Sequence, residues 1–549
     1  MPLLTNAPQA GATPHAARAR LALLVALILA FKLWLAAVFP FTGDEAYFTF
    51  WGAEPDLGYY DHPPMIGWLL ALLASLSWYE WALRFPVVLL PFALAAGIHA
   101  ALLRFDADKA LLAAVAYLLV PINVWNVFIT TDTPLILFSF FSALAFWQAE
   151  LRRAWLLYAL SGVLLGLAFL SKYFAVLLGL VYLAHALASP REQRNWSGLA
   201  VTAACALPLA AVNLWWNYEH CWANLMFNLY NRHGNAGLSW KTPLLYGATL
   251  LYVLSPVALV QFARSRGWAA GIWRDASSRF FVIACTAPFA LFAALSTFKQ
   301  VGLHWVLSFV PFFFIAAALL LSRAQLRASV LYLGLFSLLH VALILAASAV
   351  PLEKWKGVRQ YDGIVFHFRI GAVLRVLQSY RGEFVLASDG YSPAATLSYY
   401  ARRLHGRGPG EGVTAAGSPG FAVPQAASTQ ADWRRDYLPV FGEASSHARH
   451  DDILTDFRQL DGRNILVFRK SAPRDGDYRP YFRSLEYRSF ALSGATFHLV
   501  LGRGFDYATY RNRVLATVRD RYYRIPGYLP QGRCYFCERY FAASTCPAG

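Results

Sequence analysis

The sequence is poor in charged residues, which excludes an ordinary soluble protein. Only 14% of its 549 residues are charged, whereas 58% are hydrophobic, and the mean hydropathy is +0.41. Crossing a hydrocarbon core of roughly 30 Å takes about 20 helical residues, and apolar stretches near this length recur up to about residue 350. The composition therefore predicts a polytopic, mostly α-helical membrane protein.

The sequence also shows no internal repeat and no nucleic-acid-binding motif, and its N-terminal part is not expected to be a cleaved signal. The Ala- and Pro-rich residues 1–17 precede Arg18, Arg20 and a long apolar segment that has no small-residue cleavage site. Residues 1–20 are therefore predicted to be a disordered cytoplasmic lead into the first span.

Basic residues between the apolar stretches predict the orientation of the bundle. They concentrate in alternate loops, for example at Arg152 and Arg153, and the positive-inside rule puts these loops in the cytoplasm. An odd number of spans then leaves the C-terminal part of the chain in the periplasm, outside a bacterial inner membrane. Eleven spans are predicted, at about 21–41, 85–104, 110–122, 133–149, 155–171, 173–189, 197–217, 242–263, 280–297, 303–322 and 328–350.

The chain thus divides into a transmembrane domain, 21–350, and a soluble periplasmic domain, 351–549. The second domain contains a Gly- and Pro-rich linker at Gly406–Pro424 and short strand-like runs. A small α+β domain on a helical bundle with periplasmic juxtamembrane helices is the predicted architecture. Its many arginines favour anionic lipid headgroups or a phosphorylated acceptor as partners. Nucleic acid is not an expected partner, because a periplasmic domain does not meet it.

The six cysteines fall into two groups. Those in the bundle, Cys205, Cys221 and Cys285, are interpreted as small hydrophobic residues. In an oxidising periplasm, two of Cys534, Cys537 and Cys546 are expected to form a disulfide. A zinc site would need a fourth ligand that the neighbouring sequence does not supply, so no metal is expected there.

The first outer loop carries the strongest chemical signal. Thr42-Gly43-Asp44-Glu45 has the form of a helix-capping box, with Thr42 as N-cap and Glu45 at the third helical position. Helical spacing puts Asp44 on one face with Tyr47, Phe48 and Trp51. Part-burial against these aromatic rings would raise the pKa of the carboxyl group and make it a better proton acceptor. Capping and catalysis are both open for this pair of acids.

A second motif follows in the same loop, Gly58-Tyr59-Tyr60-Asp61-His62-Pro63-Pro64. The two prolines fix the backbone after His62. The tyrosines suit a membrane-interface anchor and equally a surface that stacks on a sugar ring. Tyr59, Tyr60, Asp61 and His62 are therefore candidates for binding the substrate.

These motifs resemble the bacterial lipid-linked glycosyltransferases of the C superfamily, which include aminoarabinose lipid A transferases and related protein O-mannosyltransferases. Three more stretches resemble them in the expected order, Thr131–Leu135, Leu170–Tyr173 and Gly302–Trp305. In the outer domain the likeness is loose and rests mainly on Ser388-Asp389-Gly390-Tyr391. The resemblance implies transfer of a sugar from a polyprenyl-phosphate donor of the undecaprenyl type to a lipid A, glycan or protein acceptor at the periplasmic face. It also implies that Asp44 deprotonates the acceptor.

Such an inverting transfer needs a base on the acceptor and cations at the departing lipid phosphate. Because the leaving group is already a phosphodiester, fixed cations suffice and neither a metal nor another cofactor is required. Lys172 is the first candidate, with Arg84, Lys299 and His304 as further ones. Asp132 is a candidate for orienting the substrate.

Each of these residues also has a structural interpretation. Lys172 could extend to the interface, Asp132 could cap the helix that begins near Thr133, and His304 could belong to an interfacial belt. A transporter or flippase and a non-catalytic envelope assembly protein remain alternatives for the whole chain. The transferase hypothesis requires that Asp44 and Lys172 face a single cavity.

Overall fold

The computed structural model describes residues 14–231, 237–264, 275–405, 436–442 and 449–541. Up to residue 349 the described chain is a helical bundle with an extensive apolar core. Its helices are α1 (Pro14–Val38), α2 (Gly43–Ala53), α3 (Met65–Ala74), α4 (Glu80–Leu83), α5 (Phe85–Leu102), α6 (Ala107–Leu118), α7 (Pro121–Trp125), α8 (Asp132–Arg152), α9 (Trp155–Ser171), α10 (Val176–Ala188), α11 (Trp196–Glu219), α12 (Ala223–Met226), α13 (Lys241–Leu254), α14 (Pro256–Arg264), α15 (Ala276–Ser296), α16 (Leu303–Val306), α17 (Val310–Leu320) and α18 (Arg323–Ala349).

Six helices in the described chain are long and apolar enough to cross a membrane, when α4 and α5 are counted together. They are α1, α4–α5, α8, α11, α15 and α18. The pair α13 and α14 gives a seventh candidate, although it is bent by 96°. The bend falls at Ser255, whose φ is 68°, just before Pro256, which cannot donate the hydrogen bond that would continue the helix. All eleven predicted spans fall largely on helices, and their number stays a prediction.

The N-terminal prediction needs correction. Helix α1 begins at Pro14, so residues 14–20 are helical and not disordered. This segment is rich in Ala and Arg, which are good helix formers. Residues 1–13 lie outside the described residues.

The part of the chain after the bundle, predicted to be soluble and called the soluble domain below, is a small α+β domain, as predicted. Its sheet has the order β1-β2-β4-β3, with β1 and β2 parallel and the other pairs antiparallel. Its elements are α19 (Tyr361–Phe368), α20 (Ile370–Gln378), β1 (Val385–Ser388), α21 (Tyr391–His405), α22 (Asp451–Leu454), β2 (Ile465–Arg469), β3 (Phe482–Leu492), β4 (Ala495–Phe505), α23 (Tyr507–Tyr510), α24 (Ala516–Tyr522) and α25 (Tyr535–Tyr540). The predicted linker at 406–424 lies outside the described residues.

Contacts between the two parts hold the soluble domain over the first loop. The hydroxyl of Tyr399 on α21 donates to the carbonyl of Trp78 at 2.6 Å, and that of Tyr400 accepts from the main-chain N–H of Phe41 at 3.0 Å. Just before α22, the main-chain N–H of His450 donates to the hydroxyl of Tyr47 on α2 at 2.8 Å. The soluble domain therefore packs directly on α2, the helix that carries Asp44.

A disulfide between Cys221 and Cys534 links the segment after α11 to the C-terminal segment, 313 residues further along the chain. This corrects the interpretation of Cys221 as a lone small hydrophobic residue. It also means that Cys534 pairs outside its own cluster. Cys546 lies outside the described residues, and Cys205 and Cys285 are free thiols.

Candidate active site

Helix α2 begins with the predicted capping box. The Thr42 hydroxyl accepts from the main-chain N–H of Glu45 at 3.3 Å, and the Glu45 carboxylate accepts from the main-chain N–H of Thr42 at 3.0 Å. The cap fixes the first turn of α2 and thereby the position of Asp44 at the start of the helix.

Glu45 itself is fully buried and does not line the cavity described below. Its carboxylate accepts two hydrogen bonds from Arg84, at 2.8 and 2.7 Å, and one from the main-chain N–H of Ile129 at 3.1 Å. Arg84 is equally buried and donates further to the carbonyls of Ala36 and Phe39. The predictions that Glu45 is catalytic and that Arg84 binds phosphate are therefore corrected, because the two side chains form a buried ion pair that ties α2 to its neighbours.

Asp44 points the other way, into a cavity of about 410 Å³. The predicted part-burial of Asp44 is wrong, since its side chain is exposed to this cavity. Tyr47 and Phe48 line the cavity beside it, as helical spacing predicts, whereas Trp51 packs on Tyr59. The Tyr391 hydroxyl, from α21, donates to Asp44 Oδ1 at 2.8 Å and orients the carboxylate.

The same cavity receives most of the other predicted site residues. Lys172 follows the last residue of α9, and its ammonium group donates to both carboxylate oxygens of Asp132, at 2.8 and 3.0 Å. Asp132 is the first residue of α8, and Thr131 is the N-cap, so the capping role considered for Asp132 is not observed. Asp44 and Lys172 face one cavity, as the transferase hypothesis requires. The predicted residues that line it are Asp44, Asp61, His62, Asp132, Lys172 and His304.

Besides Arg84, three further predicted substrate-binding residues lie outside the cavity wall. Tyr59 is buried, and its ring stacks on that of Trp51 at a centroid distance of 4.6 Å. The Tyr59 hydroxyl donates to the main-chain carbonyl of Trp51 at 2.8 Å. Tyr60 is buried beside Phe227. Neither tyrosine can stack on a sugar or anchor at a membrane interface, because no ring face is exposed. Lys299 does not line the cavity either.

Within the described part of the chain, no group of three or more His, Cys, Asp or Glu side chains is arranged to hold a metal ion.

The sequence and the fold of this chain are similar to those of known glycosyltransferases. Residues 61–216 match the family described as Dolichyl-phosphate-mannose-protein mannosyltransferase. The lipid A galacturonosyltransferase RgtD of Rhizobium johnstonii is 32% identical over 212 residues, which are 35% of this chain and 43% of that protein. The chain therefore spans less than half the length of this curated relative.

The fold is similar to that of ArnT from Cupriavidus metallidurans, seen in an apo state and bound to undecaprenyl phosphate. The TM-scores are 0.51 and 0.52, at 18% and 17% identity, and each comparison covers 88% of this chain and 98% of that one. The chain is related to the C-superfamily glycosyltransferases. The resemblance predicted from the motifs is confirmed.

The soluble domain contributes two residues to the cavity wall, Tyr391 and Arg449, that were not predicted as site residues from the sequence. Arg449 donates to Asp61 at 2.9 Å, and its guanidinium lies 4.6 Å from the ring centroid of Tyr391. Burial, followed by the charge of Asp44, raises the pKa of Tyr391 to about 12, so this hydroxyl stays protonated and remains a donor. The loose likeness at Ser388–Tyr391 was a signal for Tyr391. Arg449 lies 388 residues from Asp61 and had no such signal.

Proposed function

We propose that this chain is a membrane glycosyltransferase that moves a sugar from a polyprenyl-phosphate donor to an acceptor at the periplasmic face of a bacterial inner membrane. The single observation that carries the proposal is the convergence of Asp44 and Lys172 on one cavity. The similarity to RgtD and to the fold of ArnT supports it. Since RgtD is a lipid A galacturonosyltransferase, lipid A is the acceptor to test first.

In the proposed reaction, Asp44 accepts the proton of an acceptor hydroxyl. The acceptor oxygen bonds to the anomeric carbon of the sugar while the bond from that carbon to the phosphate oxygen breaks. The electron pair of the broken bond leaves on the lipid phosphate, near the ammonium group of Lys172. Attack opposite the leaving group inverts the anomeric configuration. Asp132 holds Lys172 in place, and Tyr391 holds Asp44.

A periplasmic location of the active site is consistent with the disulfide. A bond between Cys221 and Cys534 forms in an oxidising compartment. Both cysteines lie on the side of the bundle that the positive-inside rule assigns to the periplasm.

The proposal is tested with purified protein in lipid nanodiscs, supplied with an undecaprenyl-phosphate-linked sugar and lipid A. We expect wild-type protein to form glycosylated lipid A, detected by mass spectrometry. We expect Asp44→Asn to lower the turnover number by roughly 10²–10⁴-fold, the usual contribution of a general base. Asp362→Asn, at an exposed position on α19, is the matched control.

Near wild-type turnover in Asp44→Asn would remove Asp44 as the base. The absence of sugar transfer by wild-type protein, with both lipid A and other envelope acceptors, would favour the transporter or assembly-protein alternative. Mass spectrometry of envelope lipids from a deletion strain identifies the sugar and acceptor to supply.

A further inference from the structure

Lys32 is an ionisable side chain in the last third of the apolar helix α1, and the proposed reaction gives it no role. It lies on α1 and is the single charged residue between Leu21 and Val38. Its side chain is buried, with 1% of its surface exposed, and it lines the same cavity as Asp44 and Lys172. A charged group at this depth of a membrane helix is costly and usually marks a functional site.

The hydrogen-bond partners of Lys32 are uncharged. Its ammonium group donates to the main-chain carbonyls of Asn123 at 3.1 Å and Asn126 at 2.5 Å, at the end of α7. An ammonium group has three donors, so a third hydrogen bond can still be made. No carboxylate of the described chain forms an ion pair with Lys32.

The other two cations of the cavity differ from Lys32 in this respect. Lys172 is neutralised by Asp132, and Arg449 by Asp61. Lys32 is thus the cation of the described cavity wall whose charge no protein carboxylate balances. An anionic ligand would balance it.

The depth of Lys32 indicates which end of a donor would reach it. Asp132 and Lys172 lie at the ends of α8 and α9, whereas Lys32 lies six residues inside α1, about 9 Å along the helix axis. Apolar residues, including Leu90, Pro91 and Val310, line the cavity as well. A donor whose sugar faces Asp44 would direct its phosphate and lipid tail toward this deeper part.

We propose that Lys32 is a positioning residue that binds an anionic oxygen group of the lipid-linked donor. This inference rests on the proposed function. The donor phosphate supplies such a group in every case, and a carboxylate on the sugar would supply one if the transferred sugar is a uronic acid. Binding at Lys32 would add to the contact with Lys172 and would fix how deeply the donor enters the cavity.

The test compares wild-type protein with Lys32→Met, Lys32→Gln and Lys32→Arg in nanodiscs. The binding probes are undecaprenyl phosphate and undecaprenol, which lacks the phosphate. We expect Lys32→Met to weaken binding of undecaprenyl phosphate at least tenfold, Lys32→Arg to retain most of it, and none of the variants to change binding of undecaprenol. Lys32→Gln keeps a donor for the α7 carbonyls without the charge, so it serves if Lys32→Met does not fold. Lys241→Ala, an exposed lysine outside the cavity wall, is the control.

Kinetic measurements with two donors distinguish whether Lys32 binds the donor phosphate or a carboxylate on the sugar. If phosphate is the group bound, KM rises in Lys32→Met for both a neutral-sugar and a uronic-acid donor. If a sugar carboxylate is bound, KM rises only for the uronic-acid donor and the affinity for undecaprenyl phosphate is unchanged. Folded Lys32→Gln with wild-type affinity and wild-type KM for both donors would overturn the inference and leave the proposed function standing. Failure of wild-type protein to bind either donor would overturn both.

Discussion

Lys172 and Asp132 form an ion pair in the cavity wall. Because each side chain balances the charge of the other, a variant of one residue alone does not show what that residue contributes to donor binding. Removing only the lysine would leave the nearly buried Asp132 carboxylate without its partner, which is costly in itself. We therefore expect Lys172→Met to lose both stability and donor affinity. The double variant Lys172→Met/Asp132→Asn should recover much of the stability while donor binding stays weakened by roughly 10–100-fold.

The measurement is binding of undecaprenyl phosphate, together with the melting temperature of the protein in detergent. Lys241→Ala provides a control for the loss of a lysine outside the cavity. A double variant that binds the lipid phosphate as well as wild-type protein would exclude Lys172 as a phosphate ligand.

At the scale of the element, α2 gives two adjacent acids separate functions. Asp44 faces the cavity, while Glu45 closes the capping box and pairs with Arg84. We expect Glu45→Gln to destabilise the protein by about 3–5 kcal/mol, since it leaves a buried guanidinium without its counter-charge. Any remaining folded protein should turn over substrate with a nearly normal turnover number, in contrast to Asp44→Asn.

Thermal unfolding in detergent measures the first effect, and single-turnover sugar transfer by the folded fraction measures the second. The double variant Glu45→Gln/Arg84→Met should be more stable than Glu45→Gln alone, because both buried charges are then removed. A fully stable Glu45→Gln with no transfer activity would restore the catalytic assignment of Glu45.

Helix α22 begins with Asp451 and Asp452, both buried. Burial raises the pKa of Asp451 to about 7, although Arg449 opposes the shift. The unfolded carboxyl has a pKa near 3.9, so the folded protein binds more protons between about pH 4 and 7, and this group lowers stability as pH rises through that window. Asp451→Asn should gain up to roughly 4 kcal/mol relative to wild type between these limits.

Melting temperatures of both proteins at several pH values test this. Burial lowers the pKa of His450 to about 3, which gives a slope of opposite sign, but it is present in both proteins and cancels in the comparison. Parallel pH profiles for wild type and Asp451→Asn would contradict the raised pKa.

These elements also show where prediction from sequence succeeds. The capping box of α2 and the helical face shared by Asp44, Tyr47 and Phe48 are local features, so four to five neighbouring residues predict them. The strand-like runs in the sequence, Phe384–Ala387, Asn464–Phe468 and Phe497–Leu501, fall on β1, β2 and β4. Strand β3 was not predicted, because most of its residues are exposed at the sheet edge and its sequence lacks the alternation of a half-buried strand. Its register on β4 is set by the turn at Ser493 and Gly494, with φ values of 49° and 83°.

At the scale of the whole molecule, the positions of Arg84 and Arg449 could not be predicted from the sequence, because contacts between distant parts of the chain determine them. The pairs Glu45–Arg84 and Asp61–Arg449 join residues 39 and 388 positions apart. A sequence pattern identifies Arg84 and Arg449 only as basic residues. Their opposite outcomes, one buried away from the cavity and one lining it, depend on where α4 and the soluble domain pack.

The disulfide between Cys221 and Cys534 is a second covalent connection between the bundle and the soluble domain, in addition to the main chain that follows α18. Cys221 follows α11 and Cys534 precedes α25, so the bond joins the bundle to the domain that carries Tyr391 and Arg449. Removing it with Cys221→Ser/Cys534→Ser should destabilise the protein by roughly 2–5 kcal/mol. Because the domain supplies cavity residues, we also expect KM for the acceptor to rise at temperatures near the lowered melting transition.

A protease site introduced into the Gly- and Pro-rich stretch 406–424 tests the connection directly. After cleavage, wild-type protein should run as one band without reductant and as two bands with it, whereas the double variant should give two bands in both cases. Cys205→Ala, which removes a free thiol, is the control for loss of a cysteine. Two bands from wild-type protein without reductant, after thiols are blocked before lysis, would show that Cys221 and Cys534 are not joined in the cell. The domain would then be held over α2 by the main chain after α18 and by its non-covalent contacts, and the double variant should show wild-type stability and KM.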